Sequence, residues 1–382
     1  MTSVELTLTG AQVLLPDGLE QTDLGLADGC IVPSATGRRI DLAGYLVLPG
    51  IVDLHGDGFE RHMAPRRGAM KEMAEGVVAA EAELAANGIT TAVMAQFWSW
   101  EGGLRSPEFA AGVFRAIRQV REQLVTDLIP QLRFETHMLD DYAALPDLLA
   151  EWQVPYLVFN DHLPHDRLAE GRKPPRLAGQ ALKAGRSPEA HLEMLMALHA
   201  NGDRVPAALD ALCAELQDRG LILASHDDHG AADCAAWQAR GLRISEFPES
   251  AEAAEATRMA GGHVILGSPN VVRGGSHKGN ASAVELIAMG YCDALASDYH
   301  YPSPRRAALM LARSGVLDLP AAWGLVSSGP AKILGLADRG ELSPGKRADL
   351  VILDAQSHRV AATFAGGRVS YMSGDVATRF LT

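Results

Sequence analysis

The chain has 382 residues, 47% of them hydrophobic, enough to bury a large core in one big domain with an accessory module or in two ordinary domains. Its formal net charge of −13 argues against nucleic acid as a general partner, because a polyphosphate backbone demands extended basic surface; an anionic small substrate would need a local basic pocket. No apolar run approaches the ~20 residues of a membrane helix, and no basic segment followed by a hydrophobic stretch opens the chain, so a cytoplasmic protein without membrane contact is expected. Cys30, Cys213, Cys234 and Cys292 are scattered without a Cys-x-x-Cys pair, which argues against both a disulfide framework and a thiolate zinc cage.

Residues 1–48 read as short strands and turns: 4–8, 12–15, a turn at Pro16-Asp17-Gly18, and Asp28-Gly29 ahead of a strand at 30–32. From there the pattern changes to strands alternating with helices. An alanine-rich helical stretch over 71–86 stops at Asn87-Gly88, and the β-branched run Ile89-Thr90-Thr91-Ala92-Val93-Met94 follows. Repeating that reading predicts strands at 51–55, 89–96, 131–138, 155–161, 221–227, 243–248, 263–268 and 293–298. Residues 163–220 are polar and proline-containing, then helical over 189–200 and 205–219, and are expected to form an insertion over the mouth of the domain. The far end is again β-rich, with Gly345-Lys346-Arg347-Ala348-Asp349 leading into strands near 350–353, 359–364 and 368–372. Neither end alone can close a core, so the two are expected to pair. The fold class is therefore α/β: a (β/α)8 TIM-type barrel over 49–337, with a small β-sandwich built from 1–48 and 338–382. A doubly wound sheet is the structural alternative.

Several predicted strands stop at a residue able to ligate a metal, and the carboxyl ends of barrel strands form the active-site face. Ile51-Val52-Asp53-Leu54-His55-Gly56-Asp57 ends in His-x-Asp; Glu135, Asn160-Asp161-His162, His226-Asp227-Asp228 and Ser297-Asp298 close later runs. His55, Asp57, Glu135, His162, His226 and Asp298 are the candidate ligands. Imidazole nitrogens and carboxylate oxygens suit Zn²⁺ first, with Mn²⁺ and Fe²⁺ as alternatives. Each residue has a plainer reading: His55 as a packed interior histidine, Glu135 as a partner of Arg133, the aspartates beside His162 and His226 as loop caps, Asp298 as the cap of a following helix. Six coincidences on one rim are less economical than one site.

Given these residues, the chain resembles the amidohydrolase superfamily along nearly its whole length. The split sandwich, the Pro49-to-His55 strand and the Gly345-to-Val351 return strand carry the likeness. The resemblance implies one or two divalent ions, two being expected here, and a His-x-His after the first strand, where this chain has Asp57 as the second member. It often implies a bridging carbamylated lysine as well. The six lysines, Lys71, Lys173, Lys183, Lys278, Lys332 and Lys346, all fall away from predicted strand ends, which leaves Glu135 as the bridge. By the same analogy His55, Asp57 and Asp298 complete one metal site and His162 and His226 the other. The superfamily places its lone histidines after the fifth and sixth strands, whereas the strand count here gives the fourth and fifth.

Closer still, Leu223 to Asp228, Glu246-Phe247-Pro248, Gly267 to His277 and Ser297-Asp298-Tyr299 resemble, in order, the phosphonate-metabolism family of α-D-ribose 1-methylphosphonate 5-triphosphate diphosphatases, of the carbon–phosphorus lyase pathway. That likeness implies hydrolysis of a phosphorylated small molecule with release of pyrophosphate, Asp298 serving as both ligand and base. Asn270, Arg273, Gly274, Gly275, His277 and Lys278 would meet phosphate oxygens, and so would Arg66 from a second basic group with Arg61 and Arg67. A glycine-rich turn with a surface arginine is the plain reading of that loop. Neither a P-loop signature nor Gly-x-Ser-x-Gly is present. The rival readings are cleavage of an amide or cyclic amide C–N bond and a non-catalytic scaffold; the oligomeric state, including a homo-oligomer, is left open.

Overall fold

Eight runs of apolar and β-branched residues pair in chain order into one parallel sheet: Ile51–Gly56, Ile89–Trp98, Asp127–Glu135, Tyr156–Asn160, Ile222–His226, Ile244–Glu246, His263–Gly267 and Ala294–Ala296. The computed structural model describes residues 4–34, 37–64, 72–274 and 282–381. All eight strands fall on the runs expected from the sequence. The third begins at Asp127 rather than 131 because it runs straight through Pro130, whose missing N–H removes one ladder donor without ending the strand.

The sheet closes on itself at the first and last strands. Asp298 donates its N–H to the His55 carbonyl and accepts from the Asp57 N–H at its own carbonyl, both at 2.9 Å. Below that bridge the buried Asp53 carboxylate accepts the Ser297 N–H at 2.8 Å and the Ser297 hydroxyl at 2.5 Å. Gly56 is required at this seam: a Cβ there would stand 2.8 Å from the Tyr301 ring and 2.9 Å from Asp53 Oδ2.

Strand alternation sorts the side chains. Leu128, Leu132, Phe134, Leu157, Phe159, Leu223, Val264 and Leu266 face the surrounding helices in the main core. Val93, Ile129, Tyr156, Val158, Ala224, Ile244, Ile265, Ala294 and Ala296 fill the barrel interior. Above that apolar plug the inward positions turn polar at the strand ends, so the fold delivers ligand-type side chains to one mouth.

The helix expected over 71–86 is Met73–Ala86, and it stops as expected at Asn87 and at Gly88, whose φ of +84° is a left-handed conformation glycine adopts without strain. The insertion is shorter than 163–220. Helices His165–Ala169, Leu177–Lys183 and Pro188–Ala200 share a satellite core in which Trp100, Leu163, Leu168, Leu177 and Leu195 meet, but Val205–Asp218 packs into the main core as an ordinary outer helix of the barrel. The apolar positions 205, 209, 212 and 216 give it that face.

Both chain ends build the sandwich, as expected. One sheet orders 30–32, 24–27, 6–9 and 38–41; the other orders 368–372, 360–365, 350–354, 45–49, 12–15 and 18–21. The return-strand motif is the joint: Arg347 pairs with Asp349 at 3.0 Å, Asp349 accepts the Gly366 N–H at 2.7 Å, and Arg339 reaches Asp127 and Thr91 of the barrel, each at 2.8 Å. All four cysteines are free thiols, and among the described residues no helix is long and apolar enough to cross a membrane.

Because Asp53 satisfies both Ser297 donors in a buried seam, Asp53→Ala is expected to cost roughly 2–6 kcal/mol, the sum of two donors left unpartnered at roughly 1–3 kcal/mol each. Urea unfolding of wild type and variant measures it; equal midpoints would mean that the seam does not hold the barrel shut.

Candidate functional site

Glu246, at the end of the sixth barrel strand, organises the mouth. It is fully buried, and its Oε2 lies 2.6 Å from His55 Nδ1 and 3.4 Å from His226 Nδ1. Its Oε1 accepts from the Tyr156 hydroxyl at 2.5 Å and from Gln131 Nε2 at 3.0 Å. Burial alone would raise this carboxyl, but the facing imidazoles and their hydrogen bonds hold it well below the usual carboxylate range. An ionised Glu246 fixes the tautomer of both histidines with the proton on Nδ1 and turns both Nε2 lone pairs away from it. His55 Nε2 is buried with no hydrogen-bond partner. That is the state of an imidazole prepared for a cation.

The two rings stack at 5.2 Å, and Phe247 meets each of them edge-on at 5.1 Å. Phe247, Asp227 and Asp298 all carry φ between 54° and 57°, in the left-handed region that non-glycine residues seldom occupy. Strain at three strand ends is thus accepted in order to turn these side chains over the mouth.

His226 Nε2 receives Arg133 Nη2 at 2.6 Å. Burial and then the Arg133 charge push His226 down to about 3, so it is neutral. Arg133 is itself buried: its guanidinium lies 3.8 Å from the Phe97 ring centre, and its nitrogens are 3.5 Å from Asn160 Oδ1 and 3.6 Å from Asp57 Oδ2. Asp298, beside Asp57, is lifted to about 6 by burial and then by the Asp57 charge.

A second nest lies at the ends of the third and fourth strands. Glu135 Oε1 is 2.5 Å from His162 Nδ1, and its Oε2 accepts the His162 N–H at 3.1 Å. Burial alone would lower His162, but Glu135 and Asp227 carry it up to about 9. Glu101, from the loop after the second strand, brings a further carboxylate into reach of this pair.

The six expected ligands therefore all reach the mouth, in a different grouping from the one the resemblance implies. His226 joins His55 through Glu246, and His162 is engaged with Glu135. His162 follows the fourth strand and His226 ends the fifth, in agreement with the sequence count. Lys173, Lys183, Lys332 and Lys346 stay out of both nests, and Lys71 and Lys278 lie outside the described residues. Sequence reasoning missed Glu246 and Arg133 as site residues. The signal was present: Gln131, Arg133 and Glu135 are polar at every second position of a strand whose other face is apolar, which marks an interior column.

On the opposite rim, Arg273 Nη1 donates to the Tyr299 hydroxyl at 2.6 Å and Nη2 to Asn270 Oδ1 at 2.8 Å. A short helix, Ser268–Arg273, intervenes between the seventh strand and the glycines, and Gly274, with φ of +76°, closes it. Arg273 thus stands in the last turn of a helix rather than on an open loop. Gly275, His277, Lys278, Arg66 and Arg67 lie outside the described residues. Arg61 pairs with Glu83, which also holds His62 Nε2 at 2.7 Å.

The amidohydrolase family model matches residues 56–371. The chain is 33% identical, over 333 residues that cover 85% of it and 87% of the relative, to the alpha-D-ribose 1-methylphosphonate 5-triphosphate diphosphatase of Escherichia coli (strain K12). Among solved structures it is similar in fold to a putative prolidase from Bifidobacterium longum, with a TM-score of 0.65, 14% identity and coverage of 100% of this chain and 99% of that one. A Xaa-Pro dipeptidase with bound methionine gives a TM-score of 0.64 at 13% identity, covering 97% of this chain and 100% of the other. With the family model matching well over half of the chain, from the end of the first barrel strand past the return strand, and the eight-stranded barrel in place, the chain belongs to the amidohydrolase family.

Proposed function

We propose that the protein hydrolyses α-D-ribose 1-methylphosphonate 5-triphosphate to the 5-phosphate and pyrophosphate. The observation that carries this reading is the identity with the Escherichia coli diphosphatase across most of both chains. The dipeptidases share only the fold, so they lend no comparable weight to amide cleavage.

The unpartnered, buried Nε2 of His55 supports a divalent ion at the mouth. His55, His226, Asp57 and Asp298 would hold one ion, and Glu135 with His162 a second; the nitrogen and oxygen donors favour zinc, with manganese or iron as alternatives. When bound, such ions supply Lewis acidity at a phosphoryl oxygen and a lowered pKa for water.

The chain's own residues complete the chemistry. Glu246 supports the site from behind, fixing both ring orientations and both tautomers. Asp298, which burial and the Asp57 charge lift above the usual carboxylate range in the chain by itself, is the carboxylate placed to take a proton from water attacking phosphorus. Arg133 is a buried cation beside that position and offsets charge developing on phosphoryl oxygens. Arg273, held by Asn270 and Tyr299, would meet the departing pyrophosphate together with Gly274. Gly275, His277, Lys278 and Arg66 are assigned to the phosphates on the resemblance alone.

Metal-loaded protein incubated with the ribose methylphosphonate triphosphate is expected to yield pyrophosphate, followed by its phosphorus resonances. Release of ammonia or a carboxylate from an amide panel, with the triphosphate left intact, would overturn the reading. Asp298→Asn is expected to lose on the order of 100-fold or more in kcat while retaining metal; near-normal turnover would remove it as the base. Glu246→Gln should weaken metal affinity by roughly 10–100-fold, since it acts through the histidines, and an unchanged affinity in a chelator competition would deny it that role.

A further inference from the structure

A separate cluster of histidines stands at the rim. His137 lies two residues past the third strand, Asp161 follows the fourth directly, and His165 opens the helix His165–Ala169 of the insertion. Their ligating atoms lie within 4.8 Å of one another. Asp161 Oδ2 is 3.0 Å from His165 Nε2, and Asp161 Oδ1 is 3.5 Å from His137 Nδ1. Zinc bonds of ~2.0–2.1 Å at the tetrahedral angle put neighbouring donors roughly 3.3–3.4 Å apart. The observed separations bracket that edge.

A fourth residue completes the logic. His165 Nδ1 lies 2.8 Å from His199 Nδ1, from the helix Pro188–Ala200. An imidazole that ligates through Nε2 must carry its proton on Nδ1 and give it to an acceptor, and the His199 Nδ1 lone pair is that acceptor. The rings of His137 and His165 are 4.7 Å apart, and those of His165 and His199 5.0 Å apart. The Thr136 hydroxyl, 3.3 Å from His137 Nδ1, is a competing contact at that nitrogen.

We infer that His137 Nδ1, Asp161 and His165 Nε2 form a rim site for a zinc-class divalent cation, oriented by His199 and separate from the nests inside the barrel. Three protein ligands leave one coordination position for water or an anionic oxygen. The position has a structural use. The insertion has a small core of its own, and an ion here would bind its first helix directly, and the helix Pro188–Ala200 through His199, to the ends of two barrel strands. It has a chemical use as well, because Asp161 and His165 line the same cleft, about 560 Å³, as His226 and Asp227. The inference does not depend on the proposed substrate.

The test is zinc stoichiometry by mass spectrometry after chelation and reloading. His165→Ala and His137→Ala are expected to bind one zinc fewer per chain than wild type, and the milder His165→Gln should do the same if either alanine variant folds poorly. Limited proteolysis across 163–204 supplies a readout independent of activity. Zinc should protect the wild-type segment and leave the His165→Gln segment unprotected. Folded variants with wild-type zinc counts and wild-type protection would reduce the cluster to a hydrogen-bonded group and overturn the site.

Discussion

The seam between the first and last barrel strands is the constraint on which the rest of the structure depends. Asp53 and Ser297, 244 positions apart, are locked by two hydrogen bonds, and the paired backbones of residues 55–57 and 298 continue the join to the mouth. Without that seam the sheet is an open one with two exposed edges. With it, His55 and Asp57 stand beside Asp298. The close approach leaves no room for a side chain at position 56, which explains why the ligand-type residues of the first strand flank a glycine.

Charge at the mouth is arranged in layers. The lower interior is apolar, so every ionisable group above it is costly unless partnered. Glu246 bears that cost with four hydrogen-bonding neighbours, and in return it polarises two imidazoles in the same sense. Arg133 then brings a cation into the midst of groups suited to bind cations. The guanidinium faces the Nε2 lone pair of His226 and the Asp57 carboxylate, so on the proposed function an ion would have to compete with arginine for His226. On that same proposal a cation already in place beside the ligands offers positive charge to a polyanionic substrate.

The end of the fourth strand shows how densely the rim is used. Asn160 reaches Arg133, Asp161 faces the rim histidines, and His162 turns to Glu135. Three consecutive residues thus serve three environments because the chain leaves its regular strand there, and the alternation of faces ends with it. The insertion begins at the same point, so the loop that carries these residues also begins the cover over the cleft.

The sequence by itself determined the eight strands, the alternation with helices and the union of the chain ends, because each rests on local period, propensity and turn chemistry. It also placed ligand-type residues at one rim, since a barrel sends every strand end to the same face. Only the tertiary structure decided which of them meet. The pairing of His55 with His226 passes through Glu246, a residue 191 positions from one and 20 from the other. Arg133 read locally as a partner for Glu135, yet the two are neighbours in one inward column with different partners, His226 and Asp57 for the arginine and His162 for the carboxylate. The helix over 205–218 read as part of an insertion because its apolar stripe cannot say which surface it covers. Arg273 read as an open-loop cation because a six-residue helix after a strand has too few turns to show a period. For the two histidines, for Arg133 and for the helix over 205–218 the deciding partners are distant in sequence, set by the curvature and closure of the barrel, whereas Arg273 is placed by a local helix too short to show its period.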